Sequence, residues 1–471
     1  MDHWQQDVAA LHRAMRAQTL SPVELLDQVL GRVDSINPAI NALIHVDARG
    51  ARAQALESER RFRAGTALGP LDGIPISVKD NLFVAGMPAT WGSRLFKDHI
   101  AVADEWPIAR LRAAGAVIFG KTNVPEFTLQ GYTDNALFGP TRNPWNLALT
   151  PGGSSGGAVA AVAAGLAPLA VGTDGAGSIR RPASHTGLVG LKPSTGRIAR
   201  GGGFPQILYD LEVIGLVARS VGDTALLYMA LAGPDLRDRR SLAFPQPGPP
   251  GNATGPAPKR ILFLPKFGDS PVDPEIASSV ETVAENLARL GHAIEMRPVP
   301  FDLDRLQQTM GILFAAGLVL LLKGRDWCGR VGETYLPMIE AGEKLGASEY
   351  LAAVHALWDL QAELAATFAA YDFILTPTTA ALPWPATEPY PAEIDGRQAG
   401  PRAHAIFTGF ANAAGLPGIS LPCRPSRSGL PIGFQLVGCF GAEDDLLALA
   451  GQYEQAHPWA SLWPPIAEAR D

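Results

Sequence analysis

Pro151-Gly152-Gly153-Ser154-Ser155-Gly156-Gly157, then an alanine-rich run, then Gly172-Thr173-Asp174-Gly175-Ala176-Gly177-Ser178-Ile179-Arg180: these residues govern how the rest of the chain is understood. Two Gly/Ser turns flank one helix and one strand. Residues 149–173 carry no charge, so both elements belong in a core. Glycine lets backbone approach a ligand closely and adopt φ values closed to other residues, and a serine hydroxyl can act as nucleophile or proton relay. Gly/Ser turns also join core elements in proteins that do no chemistry, so these turns take their meaning from what surrounds them.

From Leu71 onward short β-prone runs alternate with Ala-rich helical ones: 74–78, a helix over 106–114, then 116–119. That alternation predicts an α/β fold with strands buried on both faces. Upstream, Ser21-Pro22-Val23-Glu24 is a capping box with Pro at the first helical position, and Leu26, Val29, Leu30 and Val33 follow at helical spacing. Downstream, 260–264 reads as a strand, and Asp273-Pro274 opens a helix with Ile276, Val280, Val283, Leu287 and Leu290 on one face until Gly291 stops it. Between these halves, 244–258 is dense in Pro and Gly and predicts an extended surface linker. The expectation is one domain over residues 1–471, a large twisted mixed β-sheet covered by α-helices. No internal repeat is visible.

Composition narrows the function. With 471 residues, a formal charge of -7 and acidic and basic residues mixed along the chain, nothing suggests a nucleic-acid surface. Cys328, Cys423 and Cys439 are too few and too scattered for a disulfide framework or a paired zinc site, and all three read as packing residues in a reducing cytoplasm. Charge and amide groups occupy residues 1–7, where an export signal would be basic and then apolar. The apolar run 310–322 is short of a membrane span, and 149–173 is broken by glycines, serines and Pro168, so both are expected as buried core. No metal or other cofactor and no membrane partner are expected. A homodimer is left open.

A serine nucleophile needs a base within hydrogen-bond reach and donors for the oxyanion. The candidate histidines are His45, His99, His185, His292, His355 and His404; His185 lies nearest the glycine turns, with no evident Asp partner. Lys79 closes the apolar run 74–78 and precedes Asp80-Asn81, which places its ammonium where a buried strand enters a turn. Burial would pull its pKa from ~10.4 towards neutrality, and a neutral lysine is a competent base. A strand-end lysine reaching solvent is the commoner arrangement. Two other motifs fit less well. Residues 115–122 have the letters of a P-loop, but the residues between its glycines are a β-prone apolar run. Residues 153–157 fit a nucleophile elbow centred on Ser155, which needs a downstream acid and histidine and leaves Lys79 unused.

The segments 73–81, 151–157 and 172–180 together resemble the amidase signature family in order and spacing. The resemblance extends to Gly120-Lys121-Thr122-Asn123 with Glu126-Phe127, to Asn143-Pro144-Trp145-Asn146, and to 429–435; it is weakest over 235–371. It implies Ser178 as nucleophile, Ser154 as the bridging serine after a cis peptide bond, and Lys79 as the base acting through Ser154. It further implies backbone N–H groups of Gly175, Ala176, Gly177 and Ser178 at the oxyanion, with Ser155, Asp174 and Arg180 in support. Ala176 stands where the family usually has Gly. The implied function is a hydrolase cleaving amide bonds of small molecules, aryl or alkyl carboxamides or anilides, with esters and carbamates chemically accessible. The segments 127–132, 204–209 and 311–322 are expected to line the acyl pocket, and their partly apolar character points to apolar acyl groups. The alternative within the family is the glutaminase component of glutamyl-tRNA amidotransferase, its A chain, which acts in a tRNA-dependent complex; residues 329–360 lack the basic, Gly-Thr-Tyr-containing segment of that component. A non-catalytic binding protein on the same scaffold is the third reading, opposed by the intact Lys79, Ser154 and Ser178.

Overall fold

The computed structural model of the chain describes residues 3–248 and 257–468. Among them one mixed sheet of eleven strands runs through the molecule. In chain order the strands are β1 (Leu43–Val46), β2 (Pro75–Lys79), β3 (Val117–Thr122), β4 (Leu169–Asp174), β5 (Val189–Lys192), β6 (Val213–Ala218), β7 (Arg260–Phe263), β8 (Ala293–Met296), β9 (Phe373–Pro377), β10 (Glu393–Ile394), β11 (Arg397–Gln398), β12 (Gly418–Cys423) and β13 (Ile432–Gly438). The sheet order is β1-β3-β2-β4-β6-β5-β12-β13-β9-β7-β8, with β10 and β11 forming a separate hairpin. β3, β2 and β4 are mutually parallel, as are β9, β7 and β8. β6, β5, β12 and β13 join the two blocks through antiparallel pairings.

Every residue of β2, β3 and β4 is buried, because helices cover both faces of the sheet; their sequences accordingly lack polar alternation. The helix Gly156–Ala163, all small or apolar residues, is buried on every side. It leads away from the first Gly/Ser turn, and β4 returns to the second, so both turns lie at the same edge. The parallel register pairs Ile76 with Leu169 and Val78 with Val171, which brings the end of β2 beside the end of β4. Lys79 therefore arrives where Thr173 and Asp174 do.

Local signals acted as their chemistry requires. Ser21 accepts from the N–H groups of Val23 and Glu24 while the Glu24 carboxylate accepts from the Ser21 N–H, and the helix runs Pro22–Ile40. Helices also occupy Trp106–Ala113 and Pro274–Arg289. Gly120, Lys121 and Thr122 lie inside β3, which removes the P-loop reading. The linker expected over 244–258 falls largely on residues 249–256, which lie outside the described residues; beside them Pro245, Gln246, Gly248, Ala257 and Pro258 are exposed and Phe244 is buried.

Two expectations change. The helix Leu303–Leu322 is long and apolar enough to cross a membrane, and half of it is buried; Leu320 is 63% exposed, so the run 310–322 is a one-sided surface helix and not wholly core. Cys328 and Cys439 are exposed, and only Cys423 packs inside, its Sγ donating to the Ile432 carbonyl at 3.3 Å. Cysteine burial depends on the element that carries it, and Cys328 and Cys439 fall outside helices and strands.

The close approach of Gly156–Ala163 to the sheet rests on Gly157, where a Cβ would meet the Asn123 nitrogen at 2.3 Å and the Ala42 carbonyl oxygen at 2.6 Å. Both obstacles are backbone and cannot swing aside. Gly157→Ala is expected to destabilise the fold by about 1–3 kcal/mol or more, read as a lowered thermal midpoint against the parent chain.

Candidate active site

The turn after β4 is held by a buried ion pair. The Asp174 carboxylate accepts from the N–H groups of Gly177 at 2.7 Å and Ile179 at 3.1 Å, and from Arg180 Nε at 3.0 Å and Nη2 at 2.9 Å. Both side chains are fully buried. Burial pushes the Asp174 carboxyl upward, but the Arg180 charge and hydrogen bonds outweigh it and hold the group well below the usual carboxylate range. Arg180 also donates to the Thr408 carbonyl at 3.1 Å and to Gln435 Oε1 at 2.6 Å, which ties the turn to β13. Gly177 adopts φ +114°, and a Cβ there would meet Thr408 Oγ1 at 2.1 Å.

This geometry divides the backbone donors. The Gly177 N–H donates to Asp174, so of the four donors implied by resemblance it is already hydrogen-bonded within the turn. The N–H groups of Gly175, Ala176 and Ser178 make no hydrogen bond among the described residues. Ala176 and Ser178 are 9% and 6% exposed, on the wall of a narrow cleft. The cleft is also lined by Thr128–Gln130, Leu208 and Phe314, one part from each segment expected at the acyl pocket.

Lys79 is fully buried at the end of β2 and does not reach solvent. Its Nζ donates to Ser154 Oγ at 2.9 Å, to Thr173 Oγ1 at 3.0 Å and to the Thr173 carbonyl at 3.2 Å. The peptide bond between Gly153 and Ser154 is cis. The Ser155 N–H donates to the Ser178 carbonyl at 3.2 Å and the Ser155 hydroxyl to the Thr173 carbonyl at 3.2 Å, so the two Gly/Ser turns are bonded to each other. The same bond removes Ser155 as an elbow nucleophile, because its hydroxyl is spent on backbone.

Burial lowers Lys79 to about 7, against the raising influence of Glu212 and Asp174. Lys121 and Lys192 are also fully buried and lowered by burial, to about 8 and about 7. Titration therefore does not single out Lys79, but contact does. Lys121 donates to the carbonyls of Asp80, Leu82 and Pro88, and Lys192 to that of Pro193, whereas Lys79 meets a hydroxyl. His185, the histidine nearest the glycine turns in sequence, is engaged elsewhere: its Nε2 faces the Ala381 carbonyl at 3.2 Å, and burial lowers it to about 4.

Residue patterns alone do not give Glu212, Arg200 or Thr173 a part in the site. Arg200 Nη1 donates to Glu212 Oε2 at 2.7 Å, and Glu212 faces Lys79 across Thr173. One signal for Glu212 is available: it is a charge set directly against the apolar run 213–218. Removing one partner of a buried ion pair leaves an uncompensated charge. Arg180→Met is expected to destabilise the protein by about 3–5 kcal/mol, measured by denaturant unfolding beside Arg180→Lys, which keeps the charge and should lose less.

Comparison with known proteins shows the family of the chain. The amidase family model matches residues 24–447. The A chain of glutamyl-tRNA(Gln) amidotransferase from Synechococcus sp. (strain CC9605) is 35% identical, over 98% of this chain and all of that protein. An acylamidase of Rhodococcus erythropolis is 33% identical, over 98% of this chain and 97% of its own length. Among solved structures, 6-aminohexanoate cyclic dimer hydrolase complexed with substrate superposes with a TM-score of 0.88 at 32% identity, covering 98% of this chain and 99% of that one. The chain belongs to the amidase family and is a hydrolase of C–N amide bonds.

Proposed function

We propose that this amidase works through an acyl-enzyme on Ser178, with Ser154 as proton relay and Lys79 as base. The 2.9 Å hydrogen bond from Lys79 to Ser154, on a turn bonded to that of Ser178, carries the reading. Ser178 Oγ adds to the amide carbonyl while its proton passes to Ser154 and a Ser154 proton passes to neutral Lys79. The N–H groups of Gly175, Ala176 and Ser178 are the donors for the oxyanion, each worth about 2.7–4 kcal/mol where such donors have been removed elsewhere. Collapse of the intermediate expels the amine, which takes the proton back through Ser154. Water then attacks the Ser178 ester by the same route and releases the carboxylic acid. Ala176 keeps its N–H, so the substitution of Gly adds only a methyl group at the cleft wall.

The reading treats residues 1–471 as a single working unit in the cytoplasm, acting on small molecules such as aryl or alkyl carboxamides and anilides, with esters or carbamates open to the same chemistry. Mixed surface charge supports a small-molecule substrate in preference to nucleic acid. A second reading, a glutaminase that depends on partner proteins, is supported by 35% identity over the whole length to the amidotransferase chain. The independent hydrolase is favoured because an acylamidase matches at almost the same identity and coverage.

Ser178→Ala should lower kcat/KM for a simple amide by about 10⁴-fold or more, and Lys79→Met and Ser154→Ala by about 10²–10⁴-fold. The purified chain assayed alone on glutamine, an aryl carboxamide, an anilide and an ester checks this; glutamine turnover that appears only with added partner proteins would favour the second reading. The base must be neutral, and Lys79 loses its proton as pH rises through about 7. On an uncharged substrate kcat/KM should therefore climb tenfold per pH unit below about 7 and level off above it. A profile that falls over that range would remove Lys79 as the base.

A further inference from the structure

The cleft that contains Ser178 is lined by two arginines that have no acidic partner. Arg181, 3% exposed, makes no ion pair among the described residues; its Nε donates to the Gly177 carbonyl at 3.3 Å, and its buried Nη1 has no hydrogen-bond partner. Arg402 sits at the exposed rim, its guanidinium 5.3 Å from the Phe314 ring centroid and its Nη2 3.5 Å from the Leu129 carbonyl. The one carboxylate in the lining, Glu212, is already bridged by Arg200 at 2.7 Å. A buried guanidinium nitrogen with no acceptor is a substantial penalty that a bound anion would remove. Guanidinium groups match carboxylates in charge and in planar geometry.

We propose that the amide cleaved at Ser178 carries a carboxylate close to the scissile bond, held by Arg181 with Arg402 closing over it, and carries no neighbouring ammonium. The missing ammonium follows from the lining, which has no free acidic group to receive one. This inference rests on the acyl-enzyme reading above and specifies its substrate class: a monoamide of a short dicarboxylic acid, or an N-acyl amino acid, according to which side of the amide bears the charge.

The test uses the full chain and initial rates on matched pairs. Glutaramate against glutaramide places the carboxylate on the acyl side; N-butyrylglycine against N-propylbutyramide places it on the leaving amine. In at least one pair the charged member should be preferred at least tenfold in kcat/KM, chiefly through KM, and glutaramate should be cleaved faster than glutamine. Arg181→Met should reduce that preference by roughly 10- to 100-fold, with Arg181→Lys recovering part of it. If the variants do not fold, inhibition of the parent enzyme decides: glutarate should bind at least tenfold more tightly than glutaramide. No preference in either pair, a preference for glutamine over glutaramate, or equal losses on charged and neutral substrates in Arg181→Met would each overturn the inference. Turnover that persists in Ser178→Ala would instead overturn the reading beneath it, so the two failures are distinguishable.

Discussion

The Asp174–Arg180 ion pair is the constraint from which the site's geometry follows. A charge pair sequestered from water is retained only when hydrogen bonds satisfy the remaining donors and acceptors, and here they do so on both sides. Asp174 takes the Gly177 and Ile179 N–H groups, and Arg180 reaches Thr408, Asn412 and Gln435 on the C-terminal part of the chain. The carboxylate thus determines which N–H groups of the turn face inward, leaving those of Gly175, Ala176 and Ser178 at the cleft. Because Gln435 lies on β13 and Asp174 on β4, residues far apart in the sequence hold a five-residue turn.

A second balance controls Lys79. Burial alone would leave the amine neutral well below its usual range, while Glu212 and Asp174 pull the other way. Neither acid acts unopposed, since Arg200 bridges Glu212 and Arg180 holds Asp174. The ammonium therefore feels two largely neutralised carboxylates, and its midpoint falls near the pH where a general base is most useful. Thr173 links the groups physically: its hydroxyl accepts from Lys79 and Asn81. Lys121 and Lys192, equally buried, spend their protons on backbone carbonyls and remain structural donors.

What could be read in advance was whatever depends on short-range sequence. The capping box at Ser21, the unbroken apolar runs of β2 and β4, and the Gly/Ser turns are local, and the parallel register then carries Lys79 to Thr173 without further information. Glu212, Arg200, Arg181 and Arg402 come from separate loops and helices and have meaning only once the sheet is assembled. The assignment of Gly177 illustrates the same limit: adjacent N–H groups are chemically alike, and only the position of the Asp174 side chain separates the one it binds from those it leaves free. Cys328, Cys439 and Leu320 read as interior by residue type, but the segments that carry them run along the surface.

The character of the cleft shows why the polarity of a segment is a poor guide to the polarity of the pocket it builds. Residues 127–132, 204–209 and 311–322 contain Phe127, Phe204 and Phe314, which suggested apolar acyl groups. In the folded chain Phe127 is fully buried edge-on to Trp91 at 5.9 Å, and Phe204 stacks on the same indole at 4.6 Å, so two of the three rings are used in packing. Phe314 remains in the lining but carries Arg402 over its face. Apolar side chains withdraw into the interior because leaving water is favourable for them, and the backbone turns that remain at the cleft bring the polar neighbours forward. Arg181, adjacent in sequence to the clamped Arg180, is carried to the cleft by the same helix that buries its neighbour. One guanidinium of the pair is consumed by Asp174, and the other, left without an acid of its own, sets the charge that a substrate meets beside Ser178.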